Sequence, residues 1–279
     1  MSAELTVSSS WHRWRIRNRH AAGELVRLRR GLYTPVDSGV SRVAAATVRL
    51  EAVASHETAA ELWGLPTLGS SHTIHITRQR RCQGTARYEG VSVHHAGLPP
   101  DHVTVRDGIP VTTLARTVVD LARNRHFRAG VVTADAALRA GGCTRPGLVA
   151  VAGECRRWPG VARARRVVEF ADYRAASPLE SISRVAFHAF GLPRPVLQAL
   201  VGGLDEVDFL WSEFRVIGEA DGLSKYTGPE ALRREKLREE GLAQLGFTVF
   251  RWTWADAYHR PDALAHRAQV ILTRHGYRP

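Results

Sequence analysis

The chain nearly lacks lysine and methionine. Among 279 residues there are 39 basic side chains, of which only Lys225 and Lys236 are lysines, and there is 1 methionine. Cysteine is scarce as well. Cys82, Cys143 and Cys155 are odd in number and lack the short spacing of a zinc knuckle or a redox pair, which leaves them as reduced thiols and excludes a disulfide framework. No apolar run approaches about 18 residues, so no membrane partner is expected. The opening MSAELTVSSSWHRWRIR sets aromatics and arginines where a signal peptide needs an apolar core, and a cytoplasmic protein is expected. Acids are the minority charge, 27 against 39, for a net charge of +12 and a pI near 10.6. Either that surplus serves a polyanionic partner, most often nucleic acid, or it is what a GC-rich, arginine-writing coding sequence leaves on a solvated surface.

What is present is an ordinary globular supply of apolar residues, 44%, spread over more chain than one domain usually takes. The first segment concentrates charge: Arg13, Arg15, Arg17, Arg19, Arg27, Arg29 and Arg30 stand against the single acid Glu24. Residues 11–22 can form a basic helix ended by Gly23, and LVRLRRGLYTPV then reads as strand, Gly31 turn and strand. That order resembles the last helix and wing of a winged helix-turn-helix, whose arginines reach phosphates and base edges; the competing reading is a solvated basic hairpin. A complete winged helix needs two helices before its recognition helix, so residues 1–40 are expected to be a truncated element.

Residues 41–126 read as an α+β domain. Ser55 can cap a helix through Ala59, Ala60, Leu62 and Trp63 that stops at Gly64 and Pro66. HTIHIT, GVSVHHAG and IPVT are strands, and TLARTVVDLAR returns to helical spacing. His72, His75, His94 and His95 follow the alternation of half-exposed strand faces rather than that of a metal site. Residues 127–174 read as a mostly helical connector broken at Gly141-Gly142.

From Ser177 the pattern sharpens into a last domain, 175–279. SPLE has the capping-box spacing, Ser177 to Glu180 with Pro178 first in the helix. VLQALV, EVDFLW and FRVIGEAD form an antiparallel meander, a helix runs from about Pro229 to Leu245, FTVFRWTW is a further strand, and residues 261–275 form a terminal helix. Trp252 and Trp254 alternate as a packed sheet face rather than a base-stacking platform. Glu219 and Asp221, two apart on a strand, share a face, and the hairpin neighbour can bring Asp208 beside them. Clustered carboxylates repel unless a cation sits between them, and oxygen ligands with phosphate and water suit Mg²⁺.

These residues carry a resemblance. A helix with Glu180, strands with Asp208 and Glu219, then helix and strand resemble the PD-(D/E)XK nuclease core. VDF, IGEADG, EKLREEGL and GFTVFRWTW are closer still to the very-short-patch-repair-like endonuclease domains at the C-terminus of many actinobacterial proteins. Upstream, RLRRGLY, SHETAAELWGLP, HTIHIT and DGIPVTTLARTVVDLA resemble the winged-helix antitoxin of type IV abortive-infection toxin–antitoxin systems. The resemblance implies a mixed α+β fold ending in a restriction-endonuclease-like αβββαβ domain. It implies Asp208 and Glu219 as Mg²⁺ ligands with the Ala220 carbonyl beside them, and Asp221 where many superfamily members carry lysine. Lys225 stands where closer relatives carry histidine; a protonated lysine suits orienting water or stabilising charge. Glu180 serves either its cap or the site. Glu235 and Arg238 either meet metal-linked water and phosphate or pair with each other in solvent. Two functions are implied: Mg²⁺-dependent endonuclease cleavage of DNA, or a non-cleaving DNA-binding regulator or antitoxin, with a toxin as partner, on a degenerate nuclease fold.

Overall fold

The structure, a computed structural model, describes residues 6–7, 19–29, 32–35, 42–69, 72–79, 90–203, 205–222 and 229–279. It divides into two compact units, Met1–Leu121 and Ala122–Pro279.

In the first unit, residues 19–21 are helical and Gly23, at φ 75°, turns the chain away; only glycine takes that backbone without steric penalty. β1 (Thr6–Val7), β2 (Leu25–Arg29) and β3 (Leu32–Pro35) form an antiparallel sheet in the order β1-β3-β2. The β2–β3 hairpin shifts register between Arg27 and Arg29. A five-stranded sheet follows from β4 (Val53–Ala54), β5 (Ile74–Arg78), β6 (Val91–His95), β7 (Val103–Arg106) and β8 (Ile109–Thr112), in the order β6-β5-β4-β8-β7.

Two helices bury their apolar faces on this sheet. α1 (Arg42–Leu50) sends Ala46 and Leu50 against Ile74 and Ile76. α2 (His56–Trp63) sends Ala59 between Ala54 and Val111. Gly64, in the left-handed conformation, ends α2 by donating its N–H to the last carbonyls. Ser55 does stand at the N-cap position, but it caps nothing: its Oγ accepts from Thr77 Oγ1 at 2.8 Å, a cross-strand bond that outcompetes the helix N–H groups. α3 (Leu114–Asn124) buries Val118, Val119 and Leu121 and spans the boundary between the units.

The second unit opens with α4 (Phe127–Arg139), α5 (Arg145–Glu154) and α6 (Val161–Phe170). α7 (Pro178–Ala189), β9 (Val196–Val201), β10 (Asp205–Trp211), β11 (Val216–Asp221), α8 (Pro229–Gln244) and β12 (Thr248–Thr253) then give the expected αβββαβ order, closed by α9 (Trp254–His259) and α10 (Pro261–Arg274). The sheet order is β12-β11-β10-β9. β9, β10 and β11 form an antiparallel meander, while β12 runs parallel to β11, a pairing that needs the long crossover α8 supplies.

One sheet face is aromatic. Phe187 of α7 meets Phe209, Trp211 and Trp252 at centroid distances of 5.7, 5.5 and 5.4 Å, and Trp252 Nε1 donates to Ser183 Oγ at 2.7 Å. Gly218 makes room for this stack: a Cβ there would lie 2.7 Å from two Trp252 ring carbons. Trp254 does not share that face, contrary to its alternation with Trp252, because the strand has ended; Trp254 begins α9 and stacks on Tyr258. On the other face Leu242 of α8 packs with Val201, Val207 and Ile217.

Candidate functional site

Strict alternation would put Val207 and Phe209 on one face of β10. Yet Val207 packs with α8 and Phe209 with α7, so the strand changes faces at Asp208. Gln198, opposite Asp208 by the register of its neighbours, takes φ 48°, an uncommon backbone for a non-glycine residue. The sheet is therefore broken at two facing polar residues. Such local strain persists where surrounding contacts over-determine it, and it clusters at functional sites.

The first turn of α7 aims an acid at this break. Ser177 Oγ accepts from Glu180 N–H at 3.2 Å, which caps the helix. The expected capping box closes differently: Glu180 Oε1 accepts from Ser177 Oγ and Oε2 from the Ala176 N–H, one residue before the cap, both at 2.8 Å. Oε2 also accepts from Gln198 Nε2 at 2.9 Å, and the same amide donates to Asp208 Oδ1 at 3.1 Å. Asp208 Oδ2 accepts from the Ala220 N–H at 2.8 Å, crossing from β10 to β11. Next along β11, Glu219 Oε1 pairs with Arg238 Nη2 of α8 at 2.9 Å, and that Nη2 also donates to the Glu206 carbonyl at 2.8 Å. Asp221 Oδ2 lies 3.7 Å from Arg251 Nη1 of β12.

The site thus links Glu180, Gln198, Asp208 and the Ala220 backbone, with Glu219 and Arg238 alongside. Lys225 lies outside the described residues. Gln198 was missed by sequence reasoning, although it is the one polar residue in VLQALV. The salt bridge of Arg238 to Glu219 was not legible either, because it joins a helix to a strand.

Burial sets the electrostatics. Glu219 is pushed up to about 7 by desolvation; the Arg238 cation opposes that and the Asp208 charge adds to it. Glu180 is raised as well, first by burial, against the Ala176 N–H bond and together with the Asp208 charge. The donor set is all oxygen, the chemistry of a hard divalent cation rather than of zinc. Asp208 and Glu219, with the Ala220 carbonyl, are the groups that would hold such an ion. A carboxyl titrating near neutrality can exchange its proton for that cation.

Of the arginines expected to meet nucleic acid, Arg27 and Arg29 lie on β2. Arg19 forms an exposed 2.8 Å pair with Glu24, of a kind that contributes little and is open to exchange for a phosphate. Arg13, Arg15, Arg17 and Arg30 lie outside the described residues. In the first unit, His75 and His94 share a hydrogen bond at 3.0 Å and His56 stacks on His94 at 3.6 Å between centroids, so three imidazoles meet where alternation alone implied separate half-exposed positions.

These features define a mixed α+β protein in which a break in the C-terminal sheet collects carboxylates. Residues 52–170 match the AbiEi antitoxin C-terminal domain. Two proteins of Mycobacterium tuberculosis, one from each of two strains and both described as uncharacterized, are 32% identical to the chain over 260 residues, covering 90% of it and 94% of their own length. The chain belongs to the family of these mycobacterial proteins and carries an abortive-infection antitoxin-like region. Among the described residues no helix is long and apolar enough to cross a membrane.

Proposed function

We propose that the chain is a DNA-binding regulator or antitoxin of the type IV abortive-infection kind. The observation that carries this reading is the antitoxin-domain match over residues 52–170. The net charge of +12 and the arginine-rich segment before residue 31 support a polyanionic partner. Arginines on the 11–22 segment and on the β2–β3 hairpin hold the phosphate backbone, and a toxin is the functional partner.

The test is binding of the full chain to the DNA upstream of its own gene and to an unrelated duplex of equal length, titrated with salt. Preference for the upstream DNA is expected, with log K falling by about 0.9 per phosphate contact for each tenfold rise in salt. Equal binding of the two duplexes would count against a regulator, and salt-independent binding would remove the arginine argument.

A second reading is favoured by one observation, the juxtaposition of Glu180, Gln198, Asp208 and Glu219 at the sheet break. On that reading the C-terminal domain is a restriction-endonuclease-like DNA hydrolase. A Mg²⁺ ion held by Asp208 and Glu219 would polarise a phosphoryl oxygen and acidify a bound water. Gln198 keeps the Asp208 and Glu180 carboxylates at a fixed separation, Arg238 holds Glu219 in place, and Lys225 is assigned to orienting water. Plasmid cleavage with Mg²⁺, lost in Asp208→Ala, is the expected result; cleavage that persists in the variant removes the proposed site.

A further inference from the structure

We propose that a cavity beside α7 in the second unit is a binding site for a small, flat organic mono-anion, a carboxylate carried on an aromatic body. The cavity holds about 590 Å³, within the usual range for small-molecule sites. Phe127, Phe170, Phe187, Leu192 and Pro195 supply its apolar walls. Phe127 and Phe170 meet edge to face at 5.6 Å.

Three guanidiniums line the same space. Arg166 lies 5.3 Å from the centre of the Phe127 ring and Arg184 4.6 Å from that of Phe170, while Arg194 is exposed. Arg184 carries the argument because its side chain is only 5% exposed. Its Nη2 donates to the Phe170 carbonyl at 3.0 Å and lies 3.5 Å from Asp135, and its Nη1 lies 3.8 Å from Asp172. Its Nε is buried with no hydrogen-bond partner among the described residues. A buried N–H without an acceptor is costly, and one oxygen of a carboxylate entering this cavity would satisfy it.

The charge balance selects the class. Glu169 is the one acid among the lining residues, but Asp135 and Asp172 already hold Arg184, and Asp172 also holds Arg194 at 3.2 Å. Three cations against three nearby acids leave no surplus for a dianion such as phosphate. One unsatisfied N–H asks for one oxygen, and aromatic walls with stacked guanidiniums accept a flat ring. Arg184 lies one turn beyond Glu180 on α7, so an occupant would act on the helix that supplies the carboxylate cluster without entering that cluster. The proposal holds whether the cluster cuts DNA or not.

Isothermal titration of the full chain with 1-naphthoate, neutral 1-naphthamide and inorganic phosphate tests it. One molecule of 1-naphthoate is expected to bind per chain, with the amide about tenfold weaker or more, and phosphate weaker than both. Ala189, at the end of α7, lines the cavity and is exposed, so Ala189→Trp fills the space without touching the arginines and should abolish naphthoate binding with an unchanged thermal melt. Arg184→Gln should erase the preference for the anion; if that variant fails to fold, Ala189→Trp decides alone. No naphthoate binding at millimolar concentration, equal affinity for the amide, tighter binding of phosphate, or full binding by folded Ala189→Trp would each overturn the proposal.

Discussion

A carboxyl lifted from 4.5 to about 7 makes stability depend on pH in a way that isolates Glu219. Its folded state holds the proton more tightly than the unfolded chain does. The stabilising contribution is therefore fully present below about pH 4.5 and is lost as the pH rises through about 7. A shift of that size corresponds to roughly 3 kcal/mol overall, of which roughly 2 to 3 kcal/mol falls between pH 5 and pH 8. Glu219→Gln removes the titration while keeping an acceptor for Arg238. Urea unfolding of both chains, followed by tryptophan emission at pH 5, 6, 7 and 8, reads the difference. The variant should gain on the wild type by that amount across the range, because only the wild type must ionise a buried acid. If the difference between the two chains stays within about 0.5 kcal/mol from pH 5 to pH 8, the desolvation argument fails.

The other predictions concern the same unit. Gly218→Ala drives a methyl into Trp252, which its bond to Ser183 holds in place, and should cost about 1–3 kcal/mol in denaturant melts. Ser177→Ala removes both the α7 cap and a donor to Glu180, and should lower stability by about 1–2 kcal/mol in the same assay. On the hydrolase reading, millimolar Mg²⁺ should raise the Tm of the wild type and leave Asp208→Ala unchanged, by mass action on the folded state. Burial alone would raise Asp172, but the hydrogen bonds and charge of Arg174 hold it at about 2, so its contribution is present above about pH 3.8 and lost as the pH falls through about 2; acid unfolding of Asp172→Asn should lack that component.

Local signals determined a good deal by themselves. Gly64 and the run before it defined α2, the spacing of apolar residues defined α8, and Gly202-Gly203, both at positive φ, turned β9 into β10. Composition determined the charge, and with it the expectation of a polyanionic partner. These features depend on near neighbours in the chain, and near neighbours are what a sequence displays.

Tertiary structure decided the site. Period-two alternation placed Glu219 and Asp221 on a common strand face, but it had no means of showing that β10 changes faces at Asp208, because that reversal comes from packing against two different helices. Gln198 read as one polar residue in an apolar run, and only the register with β10 set it between Asp208 and Glu180. Arg238 read as one charge on a highly charged helix until α8 crossed the sheet and put it on Glu219. Ser55 and Glu180 differ from their local motifs for the same reason: a distant partner, Thr77 for one and Gln198 for the other, offers a buried hydrogen bond that a motif of four residues does not contain. Residue types and local order were set by the sequence alone; which carboxylates meet, and how far burial lifts Glu219, was set by the three-dimensional packing that removes them from water.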